Sequence, residues 1–483
     1  MINKKKIGLI TISISLLLII IISNLLQVNL INVAILIGLG FLEILFFYAI
    51  IARSTKSLLY VTIFVLFQNF ILVIISRFIS DKVFNLIIIS KEIIIYCTII
   101  VYGFKYIIKK NKNKLDKLSI IAMIVFTTYT LFYSKNNFKS SIASYRQIII
   151  PFLFYIYGNI LIINKRELVK FLKTYTRIFI FTCFVGLIIY FANDYFWTNI
   201  GISEYLNHKG FPLINRNIFG LPRSFYSHDF INIFGVSLKR IASTLVDPVI
   251  YSQLVAIVLL YSIFVKEMFN NYIFKYFVII LLTVTLILTF GKGGFVIFYF
   301  GFTFCMYNLT NRKKTSKLML VFGILLFIIV ISTSGNSGTS IEAHLNGFTE
   351  NFKFLLTHPL GNGIGINGNF ALKYGSADVE LIGETESFIG KIIVETGICG
   401  ILLYIFYGKY LLSLYNKYKY KYKYKDSIYE IYTVTIGGIL GILAVSIFSV
   451  SSVSFTGCLF IMTMLGVIIK ITENNGRGKN SNI

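Results

Sequence analysis

Apolar residues run along this chain in long blocks separated by short polar segments, and within the blocks polar and apolar positions do not alternate. An apolar helix needs roughly 20 residues to cross about 30 Å of hydrocarbon. Cutting the chain at its polar segments predicts about fourteen such helices, near 7–23, 30–51, 58–75, 84–104, 118–133, 148–163, 178–192, 249–265, 276–290, 295–309, 318–332, 388–404, 431–448 and 453–469. A very short Ser-rich link joins the last pair. Strands of a closed barrel would alternate, so a barrel is excluded as the spanning structure. The expected fold is therefore all-α: a polytopic integral membrane protein forming a single membrane-embedded domain over residues 1–483.

Composition agrees with the pattern: 56% of the 483 residues are hydrophobic, 14% are charged and the mean hydropathy is +0.78. A soluble domain does not carry this much apolar material. Only 5 prolines interrupt it. The five cysteines, Cys97, Cys183, Cys305, Cys399 and Cys458, stand alone in apolar stretches, which fits neither a disulfide framework nor a zinc site. Lys4–Lys6 precede the first block as they would in a signal peptide, but no small-residue cleavage pattern follows, so it is expected to be a retained span.

The formal net charge of +26 would fit a nucleic-acid partner if it lay on one soluble surface. Its distribution argues otherwise. With the N-terminus cytoplasmic, alternate connections (4–6, 52–57, 105–117, 164–177, 266–275, 311–317, 409–425 and the tail from 470) hold 31 of the 46 Lys and Arg. That is the positive-inside pattern, and it places both termini in the cytoplasm. The Lys-Tyr run at 417–425 belongs to it, as an anchor at anionic lipid headgroups rather than a stacking surface for single-stranded nucleic acid.

The other side holds two long loops, 193–240 and 333–387, with all four histidines, His208, His228, His344 and His358. Long connections in compact proteins are usually functional or disordered, and these are too rich in Phe, Tyr and Ile to be disordered. Four local patterns fall on this outer side. Tyr145-Arg146-Gln147 stands at the mouth of a span with Pro151 one turn further in. Arg240-Ile-Ala-Ser243-Thr244-Leu-Val-Asp247-Pro248 ends the first loop. Thr289-Phe290-Gly291-Lys292-Gly293-Gly294 is a turn between two spans. The fourth runs from His358-Pro359-Leu-Gly361-Asn-Gly363-Ile-Gly365 through Glu384-Thr-Glu386-Ser387-Phe388 to Lys391 and Glu395-Thr-Gly397.

On these motifs, over about 145–404, the sequence resembles the bacterial O-antigen polymerase and ligase group, in particular the Wzy-type polymerases of capsule and exopolysaccharide pathways. Many ligases of the group carry a histidine where this chain has Glu386-Ser387, which favours the polymerase branch. The resemblance implies a bacterial plasma-membrane enzyme that transfers glycan from an undecaprenyl-pyrophosphate-linked oligosaccharide to a second lipid-linked chain, outside the membrane. Its implied partners are that lipid-linked donor, membrane lipids, a chain-length regulator and a flippase.

Such a transfer needs a cationic clamp for the departing pyrophosphate, a base for the acceptor hydroxyl and a groove that aligns both sugars. Arg146, Arg240 and Lys292 are the clamp candidates, since guanidinium meets phosphate through a planar fork and lysine supplies a compact charge. The plainer alternative is that they snorkel at the interface. Glu386, at a helix mouth, is the candidate base, with His358, Lys391 and Glu395 as further glycan or pyrophosphate contacts. Placement near a helix N-terminus would stabilise the Glu386 anion and make it a poorer base. Lys391 and Glu395 are four residues apart, so they could equally neutralise each other.

No Asp-x-Asp pair or His/Asp cluster has metal-ligand spacing, so neither metal nor other cofactor is expected. No phosphate-binding loop points to ATP hydrolysis. The competing readings are a lipid-linked oligosaccharide flippase, an O-antigen-type ligase and a non-catalytic scaffold. A transporter should show repeated halves with broken spans and midplane charges, and the halves of this sequence do not repeat.

Overall fold

The computed structural model describes residues 53–108, 113–134, 137–211, 220–227, 237–310, 312–334, 350–368, 371, 387–421 and 426–477. Nearly all of these are helical: α1 (Thr55–Ile75), α2 (Asp81–Ile108), α3 (Lys114–Thr128), α4 (Phe138–Ile160), α5 (Lys165–Phe191), α6 (Tyr195–Ile200), α7 (Ile202–His208), α8 (Pro248–Phe264), α9 (Tyr272–Leu288), α10 (Lys292–Leu309), α11 (Lys313–Ser334), α12 (Phe388–Lys421), α13 (Ser427–Ser446) and α14 (Phe455–Arg477). One antiparallel hairpin pairs β1 (Tyr226–Ser227) with β2 (Leu238–Lys239). Each predicted span from the third onward falls on a helix, while 7–23 and 30–51 lie outside the described residues. Among the described residues, seven stretches are long and apolar enough to cross a membrane: Thr55–Phe78, Asp81–Gly103, Lys114–Tyr133, Lys165–Phe191, Phe388–Lys419, Ser427–Ser446 and Phe455–Glu473. The apolar helices α8 and α9 are shorter. The chain is thus an all-α membrane protein.

Two boundaries differ from the expectation, each for a tertiary reason. Helix α4 begins at Phe138, well before 148, because Ser140, Ser141 and Ser144 are buried there against polar partners. Helix α12 continues past 404 into the Lys-Tyr run, where Tyr415 stacks on Tyr429 and Tyr418 meets Tyr432 edge-on. Lys419 Nζ donates to Asn308 Oδ1 at 2.6 Å, so the first part of this basic run is packed against α10 and α13.

The chain divides into two compact units. The first contains α1, α2 and α5 with α6, α7, β1 and β2. There α6 and α7 bury Trp197, Ile202 and Tyr205 against Leu72, Val73 and Phe84. His208 bonds Asp81 and the Ser76 carbonyl, and its ring stacks on Phe84. Lys239 joins Asp194 at 2.7 Å.

The second unit contains α3, α4 and α8–α14. With no hydrophobic drive between helices in lipid, small residues let backbones approach. A Cβ at Gly158 would lie 2.2 Å from the Thr463 carbonyl oxygen, and one at Gly466 equally close to that of Tyr155, so α4 and α14 are in backbone contact. Gly301 and Gly437 do the same for α10 and α13. At one end of this unit Asn113 forms a capping box with Asp116, Tyr155 donates to Asp116 at 2.6 Å and Asn113 donates to Glu473 at 2.8 Å. The opposite end carries the candidate site.

Candidate functional site

The site begins with a break in α12. Gly397 has φ 58° and ψ −143°, outside helical geometry, so the carbonyls just before it lose their normal partners four residues on. In a spanning segment every such group must be satisfied within the protein. The loop after His358 does this. Asn362 N–H donates to the Val394 carbonyl at 2.9 Å, Gly363 N–H to the Glu395 carbonyl at 3.1 Å, and Ile398 N–H to the Pro359 carbonyl at 2.9 Å. Gly361, Gly363 and Gly365 all have positive φ. The approach is close enough that a Cβ at Gly361 would sit 2.7 Å from the Glu395 carbonyl carbon. The Pro-Leu-Gly-x-Gly-x-Gly motif is therefore the shape required to dock on a broken helix.

The first turns of α4 close the loop from its other side. Ser134 and Ser141 both donate to the Ile364 carbonyl, at 2.7 and 2.8 Å, and Ser140 donates to that of Gly365 at 2.7 Å. Ser144 Oγ lies 2.7 and 2.8 Å from the two Glu395 carboxylate oxygens, and Gly365 N–H donates to Glu395 Oε1 at 3.0 Å. The Asn367 backbone bonds the same carboxylate. Lys391 Nζ donates to Gln147 Oε1 at 2.8 Å. Glu395 is 0% and Lys391 1% exposed, so this pair is sealed among its partners. Ser387 Oγ accepts from Gly390 N–H at the mouth of α12. Nearby Asn351 is fully buried, and neither of its side-chain polar atoms has a hydrogen-bond partner among the described residues.

The predicted residues thus separate. Lys391, Glu395 and the 359–365 motif come together with the segment containing Arg146, which is half-buried on α4. Lys292 is exposed at the first position of α10. Its Gly-rich setting has a packing cause, since a Cβ at Gly294 would lie 2.6 Å from the Ser252 carbonyl oxygen on α8. The charge at its tip stands against the helix dipole, which disfavours a cation at an N-terminus. His358 is exposed, stacked on Phe354 with ring centroids 4.4 Å apart, and its Nδ1 meets the Thr357 hydroxyl at 2.9 Å. Glu386 lies outside the described residues.

Arg240 belongs to the first unit, at the end of β2. Its N–H donates to the Phe225 carbonyl at 2.9 Å and its guanidinium to that of Ser224 at 3.3 Å. The neighbouring Ser243 and Thr244 are buried, and Ser243 Oγ donates to the Thr182 carbonyl at 2.6 Å. The Ser243 hydroxyl therefore ties this segment to α5, while the arginine is only partly covered. Among the described residues, no group of three or more His, Cys, Asp or Glu could hold a metal ion.

Sequence reasoning missed Ser140, Ser141, Ser144, Asn351 and Asn367, and used Gln147 only as part of a motif. A signal existed for three of them. Ser140, Ser144 and Gln147 recur at i, i+4 and i+7, a polar stripe on one face of the helix. No model of a known protein family and no curated protein matches the sequence, so the site is read from its own residues.

Proposed function

We propose that this chain is a metal-independent membrane glycosyltransferase of the bacterial plasma membrane, a polysaccharide polymerase acting on undecaprenyl-pyrophosphate-linked oligosaccharide at the outer face. One observation carries the reading: three segments singled out by their motifs, 145–151, 359–365 and 387–397, converge on one end of the second unit, where 387–397 is bonded to each of the other two. One of them carries Arg146, a group suited to a charged substrate, and the basic residues on the opposite connections support the outward side.

In the reaction, the acceptor hydroxyl oxygen bonds to the anomeric carbon of the donor sugar as that carbon's bond to the pyrophosphate oxygen breaks. The hydroxyl proton passes to a base, for which Glu386 is the candidate. Arg146, Arg240 and Lys292 are the candidates, each taken by itself, for meeting charge on the departing pyrophosphate. Fixed cations of this kind act without reorganising as charge develops. Glu395 has a different part: its oxygens are already engaged by Ser144 and the loop amides, so it holds the Gly-rich loop rather than accepting the proton.

The test is direct. Purified protein given lipid-linked repeat unit, with chelator and without nucleotide, is expected to lengthen the glycan and release lipid pyrophosphate. Transfer to a lipid A-type acceptor without chain growth would identify a ligase. Lipid movement without a new glycosidic bond would identify a flippase.

A further inference from the structure

Helices α4, α12, α13 and α14 enclose a slot of about 380 Å³ in the second unit. Its walls are apolar, including Phe152, Ile392, Ile405, Leu443 and Met462, and it extends along α12 from Phe388 to Leu411. Among the described residues that line it, Lys409 alone is charged, and it stands at the end that runs into the basic 409–425 connection. Lys114, with its ammonium 5.4 Å from the centre of the Tyr410 ring, brings a second cation to that end. At the other end Phe388, Ser446 and Val453 carry no charge.

Gly408 adds an independent observation. Glycine within a helix costs about 1 kcal/mol relative to alanine. Here it also lines the slot, and a Cβ built on it meets no atom within 4 Å. No close packing explains the missing side chain; its absence keeps the slot wide beside Lys409.

We infer that the slot is a binding site for an anionic phospholipid, with one acyl chain between the helices and the phosphate at Lys409. Charge complementarity sets the headgroup end. Size sets the tail, because ligand sites span about 300–1,000 Å³, and this volume lies at the small end, too small to enclose a long polyprenyl chain. The inference does not depend on the proposed reaction. It concerns the basic end of the unit, opposite the Gly-rich loop.

The full-length protein in phosphatidylcholine vesicles would be given phosphatidylglycerol carrying a photoactivatable acyl chain. The phosphatidylcholine analogue with the same chain and a photoactivatable polyprenyl phosphate would be run in parallel, with crosslinked peptides mapped by mass spectrometry. The phosphatidylglycerol probe is expected to label slot residues such as Ile405 and Met462 about fivefold more than its neutral analogue, the preference one surface lysine gives. Lys409→Gln should remove the preference. Gly408→Phe should abolish slot labelling while the unfolding temperature is maintained, and Gly408→Leu replaces it if the larger ring prevents folding. Equal labelling by phosphatidylcholine, stronger labelling by the polyprenyl probe, or labelling that survives a folded Gly408 variant would overturn the inference.

Discussion

Replacing Glu395 tests whether this buried carboxylate is a structural latch. In Glu395→Ala the Gly365 and Asn367 amides lose their acceptor in a sealed site, and the buried Lys391 ammonium loses its nearby negative charge. Ser144 recovers, since its hydroxyl can turn to a carbonyl one turn back in α4. A stranded buried donor costs about 1–3 kcal/mol, and removing one partner of a buried charge pair about 3–5 kcal/mol. These losses overlap, so roughly 4–6 kcal/mol is expected for Ala. Glu395→Gln keeps a carbonyl for Gly365 and loses mainly the charge, for about 3–5 kcal/mol. Heat unfolding of the detergent-solubilised protein, followed by monodisperse elution, should therefore rank wild type above Gln and Gln above Ala. Hydrogen exchange across 359–368 should quicken in the same order. A carboxylate reserved for chemistry would behave oppositely, with activity lost and the loop still protected. Wild-type unfolding temperature and exchange in Glu395→Ala would refute the latch.

Gly365→Ala should destabilise the same loop, because φ of +98° disfavours a side chain and its Cβ would lie 2.6 Å from the Ser141 backbone nitrogen; exchange over 359–368 reads this. Gly466→Val should lower the unfolding temperature by the equivalent of about 1–3 kcal/mol or more, since it forces α14 away from the Tyr155 carbonyl on α4. Arg240→Ala should leave abundance and insertion near normal but reduce polymer formation by about 100- to 1,000-fold, with Arg240→Lys partly active because it keeps charge without the fork; normal polymer yield from Arg240→Ala would return this residue to a snorkelling role. On a background without the five cysteines, an impermeant thiol reagent should label Asn207→Cys in intact cells and spare Lys417→Cys, and the reverse pattern would invert the orientation.

The hydrophobic pattern alone determined the fold class and, among the described residues, roughly where the longer helices lie, because a chain in lipid must bond its backbone internally and apolar length then dictates the position of a span. It also located the Gly-rich loop and the Glu395 helix as one region of interest. It could not assign Glu395 a role, since a buried carboxylate at i+4 from a lysine reads the same as base or latch until its partners are known. Those partners, Ser144 and the Gly365 amide, lie 251 and 30 residues away in sequence. Likewise the helical break at Gly397 and the early start of α4 exist only because the 359–365 backbone supplies the missing hydrogen bonds. Local periodicity records which face of a helix is apolar. Which polar group answers another across the bundle is decided by docking, and in this protein that docking turns a string of glycines and serines into a site.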